Sequence, residues 1–200
     1  MKADPSILDT HLDTLRLPFL KEHCQPLAAT AAKNSLTHLD YLAQLIEGEA
    51  NLRADRAVAR RIQAARFPVI KTLDTFRWDW PKKINRLQIQ HLFRLQFVQD
   101  HANVILLRTA ALGKTHLATS LGVIAAHHGH RVLFATAVDW VARLQDAHRL
   151  GRLPAELARL RRYGLIIIDE VGYLPFEQDA ANLVFQLVSS RYEHASLVLT

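Results

Sequence analysis

Gly113-Lys114-Thr115 and Asp169-Glu170 are the residues whose types and spacing point to chemistry. A lysine and a threonine directly after a glycine match the second half of the phosphate-binding loop G-x-x-x-x-G-K-[ST]. The free N–H groups at a helix start, and the positive end of its dipole, receive phosphate. In such a loop Lys114 reaches the β- and γ-phosphates, and the Thr115 hydroxyl binds Mg²⁺. Three residues recur by chance, so the weight lies in their place after "NVILL" and before "KTHLATSLGVIAAHH". About fifty residues on, "LIIIDEVGYL" sets two acids at the end of an apolar run. A carboxylate at the C-terminal end of a buried parallel strand lies where such sheets bind ligands. There Asp169 would hold Mg²⁺ through water, and Glu170 would polarise an attacking water. Read alone, the pair fits a strand ending in two solvated acids equally well. The G-K-T upstream, in the right strand order, favours a nucleotide site.

The elements that must position these residues alternate from Asn103 onward. "NVILL", "RVLFAT", "LIIID" and "SLVLT" read as strands. "KTHLATSLGVIAAHH", "AVDWVARLQDAHRLG", "LPAELARLRRY" and "DAANLVFQLVSSRYEH" read as helices. This alternation predicts an α/β core with a parallel sheet, and "LIIID", apolar on both sides, belongs at its centre. Residues 1–70 read as helical, with a cap at Ser35 or Thr37 and Leu39, Leu42, Leu45 and Ile46 on one face. Arg53, Arg56 and Arg60 follow on one stripe. Such a stripe suits a phosphate backbone and suits a solvated face equally. Residues 71–100 form a connector. Pro68 and Pro81 interrupt helices, Trp78 and Trp80 are packing anchors, and a helix is expected from Asn85 to about Gln99.

The chain has 200 residues, half of them hydrophobic, enough for one core plus a small helical appendage. A net charge of +6 favours a polyanionic partner, nucleic acid first, with an ordinary basic protein as the alternative. The single cysteine, Cys24, excludes a disulfide framework within one chain and fits a reducing compartment. No apolar run has the length of a signal-peptide core at the N-terminus or of a membrane span elsewhere, so a cytoplasmic protein without a membrane partner is expected. His127, His128 and His130 lack a cysteine or carboxylate to complete a metal site and read as a helix end capped by Gly129. Arg159, Arg161 and Arg162, just before the acidic strand, suit a DNA or subunit contact and equally a solvated helix end.

"LGKTHLATSLGVIAAHHGHRVLFATAVDWVARL", "YGLIIIDEVGYLPF" and "ANLVFQLVSSRYE", with "LRLPFLKEH" and "FRWDWPKKINRLQIQHL" before them, resemble the IstB family. These are the AAA+ helper ATPases of bacterial insertion sequences, related to the DnaC helicase loader. The resemblance spans nearly the whole chain. It implies a P-loop (AAA+/RecA-like) core with helices on both faces at 101–200, behind a linker at 71–100 and a small all-α domain at 1–70. It further implies ATP and Mg²⁺ as ligands, double-stranded DNA and a cognate transposase as partners, and self-association into an oligomer. Gly113, Lys114 and Thr115 match the family's phosphate loop, and Asp169 and Glu170 its acidic pair. Arg53, Arg56 and Arg60 are the candidate DNA contacts. A helicase loader in replication, and a decayed copy that keeps the fold and DNA binding without turnover, are the alternative functions. Two departures stand out. Arg108 and Ala111 occupy places where the family's loop carries glycine. A left-handed conformation costs a residue with a side chain about 1–2 kcal/mol, so weakened nucleotide affinity or turnover is expected. The chain also ends where the family's sensor residue and arginine finger are still to come, which reads as a C-terminal truncation.

Overall fold

The computed structural model describes residues 5–78, 85–107, 113–173 and 178–200, and the chain divides into two units, Met1–Ala59 and Arg60–Thr200. The first unit contains α1 (Pro5–Thr14), α2 (Pro18–Lys33) and most of α3 (His38–Ala64). Thr37 is the cap that starts α3. Its hydroxyl accepts from the Asp40 N–H, and its own N–H donates back to the Asp40 carboxylate. Gly48 lets α2 approach closely, since a Cβ there would stand 2.0 Å from Cε1 of Phe19. Next to it the buried Glu49 accepts from the Phe19 N–H at 2.9 Å, near the start of α2, and from Arg53 Nε at 3.1 Å.

These contacts fix which face of α3 turns inward, and the expected apolar face is corrected accordingly. Leu45 is buried, whereas Leu39, Leu42 and Ile46 are exposed. Leu45, Gly48 and Glu49 form the inward stripe, and Leu39 and Ile46 turn away from it, whereas Leu42 lies seven residues before Glu49 on the same side and is exposed all the same.

The second unit continues through α4 (Arg86–Leu92) and α5 (Gln96–Gln99) into a four-stranded parallel sheet. Its strands are β1 (Val104–Ile105), β2 (Val132–Thr136), β3 (Leu165–Asp169) and β4 (Ser196–Leu199), in the order β1-β4-β3-β2. Helix α6 (Lys114–His127) links β1 to β2. Helices α7 (Ala137–Arg149) and α8 (Leu153–Leu160) link β2 to β3, and α9 (Gln178–Arg191) links β3 to β4.

Alternate residues of β3 enter opposite cores. Leu165 and Ile167 pack with Ala118, Leu121 and Ala125 of α6. Ile166 and Ile168 pack with Trp140 and Leu144 of α7, Leu160 of α8 and Leu187 of α9. The period of two thus divides the helices between the two faces of the sheet, and all five β3 residues are buried. The outer edge of β2 is covered, because the Phe134 N–H donates to the Ala65 carbonyl at 2.8 Å.

The single helix expected over Asn85–Gln99 is two. Leu95 breaks it with φ of +60°, and Leu95, Phe97 and Val98 are all buried in the core beside α6. No one helical face can bury both Leu95 and Phe97, which lie about 200° apart around an α-helix. Strand β1 is shorter than "NVILL", with Ile105 and Leu107 exposed at the sheet edge. Trp78 is half-buried, edge-on to Phe76 and beneath Arg86, while Trp80 and Pro81 lie outside the described residues. The histidine-rich stretch closes α6. Gly129 has φ of +92°, and the His130 N–H returns to the Ala125 carbonyl at 3.0 Å.

Candidate nucleotide-binding site

Helix α6 starts at Gly113, whose φ of +78° favours glycine. A Cβ there would also stand 2.9 Å from Cε2 of Phe76, which is buried. Glycine offers no side chain to cap the first turn of α6. The half-buried Lys114 is the first residue of the helix.

His116, one residue past the motif, fastens the connector to this helix start. Its Nε2 lies 2.9 Å from the Thr72 carbonyl and 3.3 Å from Thr75 Oγ1, and its ring meets Phe76 edge-on. Sequence reasoning missed this clamp. The available signal was an aromatic-rich connector and a histidine in the first turn.

Across the sheet end, the Thr115 hydroxyl donates to Oδ1 of Asp169 at 3.1 Å. Asp169 is the last residue of β3 and is buried. A second hydroxyl, from Thr200 just after β4, also donates to Oδ1 of Asp169. That same Thr200 oxygen accepts from the Glu170 N–H at 3.1 Å. The Glu170 side chain is exposed, and its φ of +63° places it in the left-handed region. The Thr200 role was not legible in the sequence, because a lone threonine at a strand end carries no motif.

These groups line a cavity of about 1050 Å³ that contains Thr115, Thr136, Asp139, Arg143, Asp169 and Glu170. Thr136 caps α7 by accepting from the Asp139 N–H at 3.2 Å. Further along the wall, Glu156 accepts from Arg159 Nη2 at 2.8 Å and from Arg143 Nε at 2.6 Å. Hydrogen bonds from Arg159 and then Arg143 hold the Glu156 carboxyl below its ordinary range. Arg159 is therefore ion-paired within the chain, and Arg161 donates to the Ser190 carbonyl at 3.0 Å.

Gly113, Lys114, Thr115, Asp169 and Glu170 thus come to one end of the sheet. Arg53, Arg56 and Arg60 are not among the residues lining the cavity. Arg53 is engaged by Glu49 and by the Arg16 carbonyl, whereas the side chains of Arg56 and Arg60 are exposed. Arg108 and Ala111 lie outside the described residues.

The family model for the IstB-like ATP binding protein matches residues 10–200. The chain belongs to the IstB-like ATP-binding protein family. It is 39% identical over 193 residues to the insertion sequence IS21 putative ATP-binding protein of Pseudomonas aeruginosa, covering 96% of this chain and 73% of that one. It is 33% identical over 200 residues to the IS232 putative ATP-binding protein of Bacillus thuringiensis subsp. berliner, covering 100% and 80%.

Among solved structures it is similar to the DnaC helicase loader, with TM-score 0.54, 21% identity, and coverage of 70% of this chain and 78% of that one. It is also similar to AMPPCP-bound DnaA from Aquifex aeolicus, with TM-score 0.57, 17% identity, and coverage of 68% of this chain and 43% of that one. At these identities the likeness is one of fold: a parallel sheet flanked by helices. Among the described residues no helix is long and apolar enough to cross a membrane.

Proposed function

We propose that this chain binds ATP with Mg²⁺ at the start of α6 and uses its hydrolysis to assist a transposase on DNA. The observation that carries the reading is the hydrogen bond between Thr115 and the buried Asp169 at the C-terminal edge of the sheet. A hydroxyl and a carboxylate are oxygen donors suited to a hard divalent cation. Bound there, Mg²⁺ supplies charge neutralisation at the phosphates.

The chain's own residues supply the rest. The α6 amides and Lys114 bind and orient the phosphates. Asp169 and Thr115 hold the cation. Glu170, exposed beside them, accepts a proton from the attacking water. The names of the IS21 and IS232 relatives, insertion-sequence putative ATP-binding proteins, support the assignment to transposition. The basic balance of the chain supports a DNA partner, and a solved DnaA structure of similar fold holds single-stranded DNA and AMPPCP. Arg56 and Arg60 are the proposed contacts to a DNA backbone. Arg53 joins them only if it leaves Glu49. Self-association into a AAA+ oligomer belongs to the same reading.

Two measurements test the helper role. Double-stranded DNA binding, followed against salt, should weaken steeply, and Arg56→Ala with Arg60→Ala should flatten the log–log slope by about 2. An unchanged slope removes these arginines from the interface. Pull-downs with the transposase of an IS21-type insertion sequence and with a replicative helicase should retain the transposase. Retention of the helicase alone favours the loader function.

A further inference from the structure

We propose that Thr200 is a positioning residue that sets the two acids of the site relative to each other. The inference rests on the nucleotide reading above.

A threonine hydroxyl has one proton and two lone pairs. The Thr200 proton goes to Asp169 Oδ1, and a lone pair is left for the Glu170 N–H at 3.1 Å. One oxygen therefore touches the carboxylate of the first acid and the backbone of the second. The main chain of Thr200 completes the bracket. Its N–H donates to the Ile168 carbonyl at 3.1 Å, and its carbonyl accepts from the Val171 N–H at 2.9 Å. Residues 168–171 are thus bound to Thr200 at each step from the end of β3 into the following turn.

The need for such a bracket lies in Glu170. Its φ of +63° is unfavourable for a residue with a Cβ and persists only where surrounding bonds over-determine it. The Glu170 and Val171 N–H groups, which fix that turn, both end on Thr200. Meanwhile Asp169 Oδ1 is shared by Thr115 and Thr200. The Thr200 hydroxyl therefore ties the start of α6, the end of β3 and the end of β4 to one carboxylate oxygen. A partner of this kind fixes which lone pairs of Asp169 face a cation and where the exposed Glu170 carboxylate points.

The test compares the whole chain with Thr200→Val, which keeps the shape and removes the hydroxyl, and with Thr200→Ser, which keeps the hydroxyl. Melting temperature, metal-free AMPPCP affinity, Mn²⁺ affinity in the AMPPCP complex, and kcat for phosphate release are measured on each. The valine variant should keep its melting temperature and its metal-free AMPPCP affinity within twofold. Its Mn²⁺ affinity and kcat should each fall about 10- to 100-fold, as when a partner that orients a ligand is removed. The serine variant should recover both to within a few-fold. Wild-type-like Mn²⁺ affinity and kcat in the valine variant overturn the proposal, as does a serine variant no better than valine. A valine variant that fails to fold leaves the serine variant to decide, because loss of kcat there with normal melting also overturns it. If neither the wild-type chain nor one with glycine at positions 108 and 111 binds AMPPCP, the nucleotide reading itself is refuted, and this inference falls with it.

Discussion

Arg191 is fully buried and has no carboxylate partner among the described residues, yet it sits in the heart of the second unit. Its Nη1 donates to the Leu160 carbonyl at 2.8 Å, and its Nη2 donates to the Tyr163 and Ser196 carbonyls at 2.8 and 3.0 Å. Leu160 ends α8, so the guanidinium lies against a buried carbonyl at the negative end of a helix. Burial lowers its pKa to about 10, which leaves it charged at neutral pH. Replacing it with alanine orphans three carbonyls and opens a cavity, at a cost of about 3–5 kcal/mol in a chemical melt. Lysine should recover little of this, since one ammonium lacks the planar fork that reaches three acceptors. Full recovery by lysine would show that charge alone matters.

Glu156 gives the pH counterpart. Its carboxyl is held below the ordinary value of 4.5 by Arg159 and Arg143, so the unfolded chain binds its proton first as pH falls. The stability it contributes is present above about pH 4.5 and is lost as pH drops through the lower folded-state value. Glu156→Gln should flatten that part of the acid unfolding curve, and an unchanged curve would remove the Arg143–Glu156–Arg159 group from acid stability. The sequence displayed Thr115 and Asp169 because a motif fixes their spacing along the chain. The contacts of Arg191 and Thr200 were not legible because their partners are backbone groups and neighbours distant in sequence, which residue type alone does not announce.

At the scale of elements, the approach of α6 to β3 decides how the site is held. Gly122 lies where a Cβ would stand 2.6 Å from Cε1 of Phe67 and 2.8 Å from Cδ1 of Ile167. Gly122→Ala should therefore destabilise the chain by about 1–3 kcal/mol through overpacking, read as a lower denaturation midpoint. A gain in stability, as helix propensity alone would give, would mean that the helix moves away freely. Strand and helix alternation was legible because "LIIID" and its neighbours are unbroken apolar runs. The break at Leu95 was not. Local helical spacing supports a continuous helix there, and only the shared burial of Leu95, Phe97 and Val98 overrides it. On α3 the apolar period was legible but its direction was not. Gly48 and Glu49, through Phe19, choose the inward face and leave Leu39 and Ile46 exposed.

At the scale of the whole molecule, the second unit carries the arrangement on which the proposed activity depends. A parallel sheet ends its strands at one edge, and α6 starts at that edge. This is why Thr115 and Asp169 meet although 54 residues separate them. The deciding measurement is an equilibrium titration of the folded chain with a fluorescent ATP analogue, with and without Mg²⁺. Saturable binding, tightened by Mg²⁺, with Kd at or below about 1 mM is expected, abolished in Lys114→Ala and tightened when Arg108 and Ala111 are both replaced by glycine. No saturation at millimolar nucleotide, in wild type and in the glycine-restored chain alike, would contradict a nucleotide site at the start of α6.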